Sequence, residues 1–255
     1  MGDPPMPGAR SRGPVARATM SQLVAIITGA ARGIGKAIAV ELKRGGYDVV
    51  LISRTRGELE DAAREVGGVA LPADVTEPAE VDALVAETLR RFGRIDAVVN
   101  NAGLAPVIPV KEMSIDRWHA VLDTNLSAPF YLSRAVWPTF KAQQSGVIVN
   151  VSSFSARDPF PGLGVYGAAK GGVNVLGLAL AREGAPHGIR VHTIAPAAVE
   201  TQMFRKLVPH ERYPTEKTLA PADVAHVIGQ CVAGDLRHTS GEVIWLQKSP
   251  ASGDS

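Results

Sequence analysis

A tyrosine and a lysine stand four residues apart in GVYGAAKGGVNVLGLALA, residues 164–181, the spacing that puts Tyr166 and Lys170 on one helical face. A free phenol, with a pKa of about 10, exchanges protons poorly at neutral pH. A cation about 4 Å away, at an effective dielectric near 20, is worth about 4 kcal/mol, enough to lower that pKa by up to about three units. Tyr166 could then protonate a carbonyl oxygen as hydride reaches its carbon, or run the reverse. The same stretch makes a costly helix, because Gly167, Gly171, Gly172 and Gly177 each cost about 1 kcal/mol against alanine. It is either a poor structural helix or a platform for chemistry, packed too closely for side chains.

Such a platform needs a frame. From residue 22 short β-rich runs alternate with helical ones: strands are expected at 23–28, 48–53, 68–73, 95–100, 146–152, 189–194 and 242–246, and helices at 33–45, 56–66, 78–92, 114–143, 164–185 and 221–234. Strand alternating with helix predicts βαβ units: a single-domain α/β fold, a doubly wound parallel sheet of about seven strands with helices on both faces, Rossmann-like in plan. Ligands of such sheets bind at the carboxyl ends of the strands.

The residues there suit a dinucleotide. After the first strand comes TGAARGIGKAIA, with Gly29, Gly33 and Gly35 in a loop that turns tightly and lets a pyrophosphate approach the start of the next helix. At the end of the second strand, where an NAD site wants a carboxylate, stand Ser53 and Arg54. A guanidinium with no acid beside it suits the 2′-phosphate of NADP, and Arg32 in the glycine loop adds a second charge. The third strand ends at Asp74, placed to accept from an adenine amino group. The fourth ends in NNAG, whose Asn100 and Asn101 must satisfy backbone groups or touch a ligand. Pro129, four residues after Asn125, has no N–H to donate, so the Asn125 carbonyl loses its helical partner and a kink is expected there.

Taken together, TGxxxGxG at 28–35, Asp74-Val75, NNAG at 100–103, Asn125, Ser153 and YxxxK at 166–170 resemble the short-chain dehydrogenase/reductase family, and its 3-oxoacyl-ACP reductase-like members, across residues 22–246. The resemblance implies a catalytic set of Asn125, Ser153, Tyr166 and Lys170. In it Ser153, thirteen residues before the tyrosine, holds the substrate oxygen, Lys170 also binds the nicotinamide ribose, and the Asn125 carbonyl holds a water in a proton relay. It implies cofactor contacts from Gly29, Ala31, Arg32, Gly33, Ile34, Gly35, Ser53, Arg54, Asp74, Val75, Asn101, Ala102, Gly103, Tyr166, Lys170, Pro196, Val199 and Thr201. Ala197 stands where the family has glycine; if that turn needs positive φ, alanine strains or reshapes it. Residues 202–218 are expected to form a substrate lid, in which Met203, Phe204, Leu207 and Val208, with Phe154 and Phe160 nearby, suit a partly apolar carbonyl. Family members pair two copies of the YxxxK helix across a dimer axis, often within tetramers. This chain's end, QKSPASGDS, departs from the family pattern, which leaves dimer and tetramer both open.

The expected activity is an NADP(H)-dependent interconversion of a carbonyl and a secondary alcohol; a non-catalytic NADP-binding sensor or scaffold is the alternative. Composition agrees with a globular enzyme: 255 residues, 45% hydrophobic and 20% charged. Three Arg and one Asp of the 27 basic and 25 acidic residues fall in residues 1–20, so the remaining body is balanced at 24 of each, which argues against nucleic acid. Cys231 is alone, the six His show no metal-ligand spacing, and no apolar run reaches the length of about 18 residues that spans a membrane. A reducing, cytoplasmic setting and no metal are expected. Residues 1–20, rich in Pro, Gly and Arg, are expected to be a disordered extension, with organelle import by them as the alternative. Residues 21–247 form the expected domain and 248–255 a flexible tail.

Overall fold

The computed structural model describes residues 22–248; the expectations for residues 1–20 and for the tail beyond Lys248 lie outside them. The strands are β1 (Val24–Thr28), β2 (Asp48–Ser53), β3 (Val69–Pro72), β4 (Ala97–Asn100), β5 (Gly146–Val151), β6 (Ile189–Pro196) and β7 (Val243–Leu246). They form one seven-stranded sheet in the order β3-β2-β1-β4-β5-β6-β7, and every pairing is parallel. The order reverses between β1 and β4, so a crevice opens beyond their carboxyl ends.

Because side chains alternate along a strand, each strand feeds two cores. Ala25 and Ile27 face α1 (Gly33–Arg44), α2 (Arg56–Val66) and α8 (Pro221–Ala233). Val24 and Ile26 face α3 (Pro78–Phe92), α5 (Ala128–Gln143) and α6 (Gly164–Gly184). β1, β4 and β5 are buried along their whole length, as helices on both faces require. Among the described residues no helix is long and apolar enough to cross a membrane.

The helix expected at 114–143 runs from Ile115 to Gln143 and leaves α geometry where the kink is expected, beside Asn125 and Pro129. α4 (Ile115–Leu122) ends in a π-turn over Asp123–Ser127 before α5 begins, and the Ala128 N–H donates to the Asp123 carbonyl five residues back. Pro129 lacks the N–H that an unbroken α-helix needs at this point, but in the first turn of a new helix that loss is harmless. Residues 202–218, expected to form a lid, hold α7 (Gln202–Leu207) and a short turn at Thr215–Lys217.

Candidate active site

A cleft of ≈ 1260 Å³ lies over the carboxyl ends of the central strands, and every residue expected to contact the cofactor lines it. At its floor the glycine loop is forced by contact. Gly29 has φ +63°, and a Cβ on Gly35 would lie 2.3 Å from the Gly29 carbonyl oxygen, so neither position accepts a side chain. The Asn101 amide locks this loop by donating to the Thr28 and Gly29 carbonyls at 2.9 and 3.2 Å. Thr28 Oγ1 in turn accepts from the Asn101 and Ala102 N–H groups, both at 3.0 Å. Helix α1 starts at this loop with no side-chain cap and no acidic residue in its first turn, which leaves its positive end to a ligand.

At the far end of the cleft stand Ser53, Arg54 and Arg32. The expectation that no acid stands beside these arginines is corrected by the fold. Arg32 pairs with Glu58 at 3.1 Å, and Arg54 lies 3.5 Å from Asp74. Asp74 is itself held by the Thr76 N–H and hydroxyl at 3.0 and 2.7 Å. Burial pushes its carboxyl up, but the Thr76 bonds and Arg54 outweigh burial and leave it below its usual value.

Ser153, Tyr166 and Lys170 meet at the other end. Ser153 Oγ accepts from the Ser155 N–H at 3.1 Å, and its hydroxyl is close enough to Tyr166 to pull that phenol's pKa down. Its neighbour Ser152 is spent on structure, donating to the Lys170 carbonyl at 3.2 Å. Lys170 Nζ lies 5.7 Å from the centre of the Tyr166 ring and donates to the Val151 carbonyl at 2.8 Å. Lys170 thus bonds the sheet, and the Ser153 hydroxyl is the group that draws the phenol down. Burial raises Tyr166 above 10, the Ser153 bond only partly opposes this, and burial also brings Lys170 down to about 8.

Asn125 does not line the cleft. It is fully buried in the π-turn, and its amide donates to the Leu104 and Val121 carbonyls at 2.7 and 2.9 Å while accepting from the Leu104 N–H at 3.2 Å. Gly103 bridges the two levels: a Cβ there would lie 3.2 Å from Asn125 Oδ1 and 4.0 Å from Lys170 Nζ. Asn100 stays in the sheet and donates to Asn150 Oδ1 at 2.9 Å. Ala197 keeps a negative φ, since Gln144 is the one non-glycine with positive φ among the described residues; alanine is unstrained there.

Three features escaped the sequence reading. Thr28 is a hub, Glu58 occupies Arg32, and Arg205 staples the segment after β6 by bonding Glu200 and the Tyr213 carbonyl. The Arg205 bond holds Glu200 down at about 2. Local sequence gave no hint of them: the Thr-x-x-Glu pattern at Thr55–Glu58 points Glu58 to its own helix start and not to Arg32.

The model of the short chain dehydrogenase family matches residues 23–212. The chain belongs to the short-chain dehydrogenase family. It is 39% identical over 191 residues to the uncharacterized oxidoreductase YxjF of Bacillus subtilis (strain 168), covering 73% of this chain and 74% of that one. An uncharacterized oxidoreductase of Staphylococcus haemolyticus is 36% identical over 208 residues, covering 80% and 88%. The solved structure of levodione reductase superposes with a TM-score of 0.83 at 29% identity, covering 88% of this chain and 96% of that one. The crystal structure of gox2181 gives 0.84 at 27% identity, covering 89% and 95%. As a short-chain dehydrogenase the protein is a nicotinamide-dependent oxidoreductase of carbonyls and alcohols.

Proposed function

We propose that this short-chain dehydrogenase is an NADP(H)-dependent enzyme that interconverts a partly apolar carbonyl compound and its secondary alcohol, with Tyr166 as general acid and base. What carries the reading is that the Ser153–Tyr166 hydroxyl pair and Lys170 face the same cleft as the uncapped start of α1. The cofactor, when bound, supplies or accepts hydride at the reacting carbon. Two hydroxyls then hold the substrate oxygen, and Tyr166 gives it a proton in reduction. A phenol raised by burial is protonated at neutral pH, the form that gives its proton in the reductive direction. Lys170, with a pKa of about 8, is largely charged at neutral pH and supports the phenolate once the proton has left.

NADP(H) is favoured because β2 ends in Ser53 with no carboxylate, and both Arg32 and Arg54 line the adenosine end of the cleft. The substrate end is walled by Phe154, Phe160, Met203, Leu207 and Val208. Among the solved relatives, levodione reductase carries a reductase's name, in keeping with this direction. A cytoplasmic homo-oligomer completes the proposal: Cys231 is a buried free thiol, and α6 presents apolar side chains to the outside.

The test is a panel of aldehydes and ketones read by NADPH absorbance, with both nucleotides titrated by fluorescence. A charge-assisted phosphate contact is worth about 1.5–3 kcal/mol, so NADPH should bind roughly ten- to a hundred-fold tighter than NADH. Tight nucleotide binding without turnover of any carbonyl or alcohol would instead favour the sensor.

A further inference from the structure

We propose that Glu58 sets the cofactor selectivity of this enzyme by competing with the 2′-phosphate of NADP(H) for Arg32, and that it yields by moving to the amino end of its own helix. The inference rests on the NADP(H) reading of Arg32 and Arg54. Arg32 Nη1 donates to Glu58 Oε2 at 3.1 Å, and the two side chains are 62% and 53% exposed, so the pair is an open surface contact that holds weakly. Glu58 also lines the adenosine end of the cleft, beside Ser53, Arg54 and Thr55. Any dianion brought to Arg32 therefore meets a carboxylate already there.

Glu58 has somewhere to go. It is the third residue of α2, whose N-cap is Thr55, and Thr-x-x-Glu is the pattern in which the glutamate turns back to accept from the N-cap N–H. The structure shows that pattern unused: Thr55 makes no side-chain cap, and the Glu58 carboxylate is on Arg32. At the start of a helix a negative charge is also favoured by the helix dipole. The second acid at this end differs, because Asp74 is fixed by two bonds from Thr76. Of the two carboxylates facing the arginines, Glu58 is the one that can give way. A ribose 2′-hydroxyl, being neutral, gives it no reason to do so. The device thus costs NADPH affinity and leaves NADH alone, narrowing the preference that two arginines would otherwise give.

Glu58→Gln removes the charge and keeps the shape. Calorimetric titration with adenosine 2′,5′-bisphosphate and with 5′-AMP reads the site without turnover, and NADPH and NADH extend it to the whole cofactor. The variant should bind the bisphosphate and NADPH about three- to ten-fold tighter, and 5′-AMP and NADH within about two-fold of the parent. In an Arg32→Gln background the same change should move nothing, because no contested partner remains. Unchanged or weaker bisphosphate binding in Glu58→Gln, in a parent that prefers NADPH, would overturn the competition alone. Equal tightening with and without Arg32 would overturn it in favour of a diffuse charge effect. A parent indifferent to the 2′-phosphate would overturn the NADP(H) reading and this proposal with it.

Discussion

At Tyr166, burial raises the phenol and the Ser153 hydroxyl pulls it down, while Lys170 is turned to the Val151 carbonyl. In the proposed reaction the proton passes through this one oxygen. Tyr166→Phe should lower turnover by about 10²- to 10⁴-fold while NADPH affinity stays within about two-fold, as steady-state rates and fluorescence titration can check. Activity near that of the parent would take the acid role away from this residue. A different titration belongs to His192, fully buried in β6, whose Nδ1 meets Thr239 Oγ1 at 3.2 Å. Burial, aided by the Arg190 charge, lowers it to about 4. The unfolded ring, with a pKa of about 6.5, takes a proton first as pH falls, so its contribution is complete above about pH 6.5 and is lost between there and about pH 4. That loss is about 3 kcal/mol, and urea midpoints compared at pH 7.5 and 5 should show a steeper decline in the parent than in His192→Gln. The types and spacings of the chemical residues were legible in the sequence, because the cofactor loops follow strand ends and Tyr166 and Lys170 stand one helical turn apart. Their partners were not: Glu58 reaches Arg32 across 26 residues and Asp74 reaches Arg54 across 20.

Helix α6 shows what its glycines are for. A Cβ on Gly177 would lie 2.4 Å from Thr193 Oγ1 of β6, and one on Gly167 would lie 2.5 Å from the Ser155 carbonyl; these two set how closely the helix beds on the sheet and on the Ser153 turn. Gly171 was expected to serve the same end, yet nothing lies within 4 Å of its Cβ position. Gly177→Ala gains about 1 kcal/mol of helix propensity and must push β6 or α6 aside. The clash should win by about 1–3 kcal/mol in denaturant unfolding, and turnover should drop as Tyr166 and Lys170 shift with the helix. A more stable, fully active variant would show that the approach is not needed. The strands could be read almost to the residue, since burial on both faces leaves continuous apolar runs. The irregularity between α4 and α5 could be read from Pro129 as a kink but not as a π-turn, because helical periodicity runs through it. The π-turn depends on Pro129 together with the Asn125 amide reaching Leu104, 21 residues away.

For the whole molecule, Gly171 poses the opposite problem. In the single chain its glycine costs about 1 kcal/mol of helix propensity and relieves no contact. It sits at helical spacing between Ala168 and Val175, and with Leu178 these form an outward stripe; Val175 is 69% exposed and Leu178 37%. An apolar stripe with a glycine in the middle suits a second copy whose helix crosses closely there, since a two-fold contact places the same patch on both subunits. The protein should therefore run as a dimer, or a multiple of one, at micromolar concentration by light scattering. Gly171→Glu adds bulk, and a charge that faces its own symmetry mate, at a position open in the monomer. It should shift the mass to that of one chain while the circular dichroism spectrum is retained and thermal stability at high dilution does not fall. A parent already monomeric would leave the stripe uncovered and the glycine without a purpose; a variant that stays dimeric would move the interface to another face.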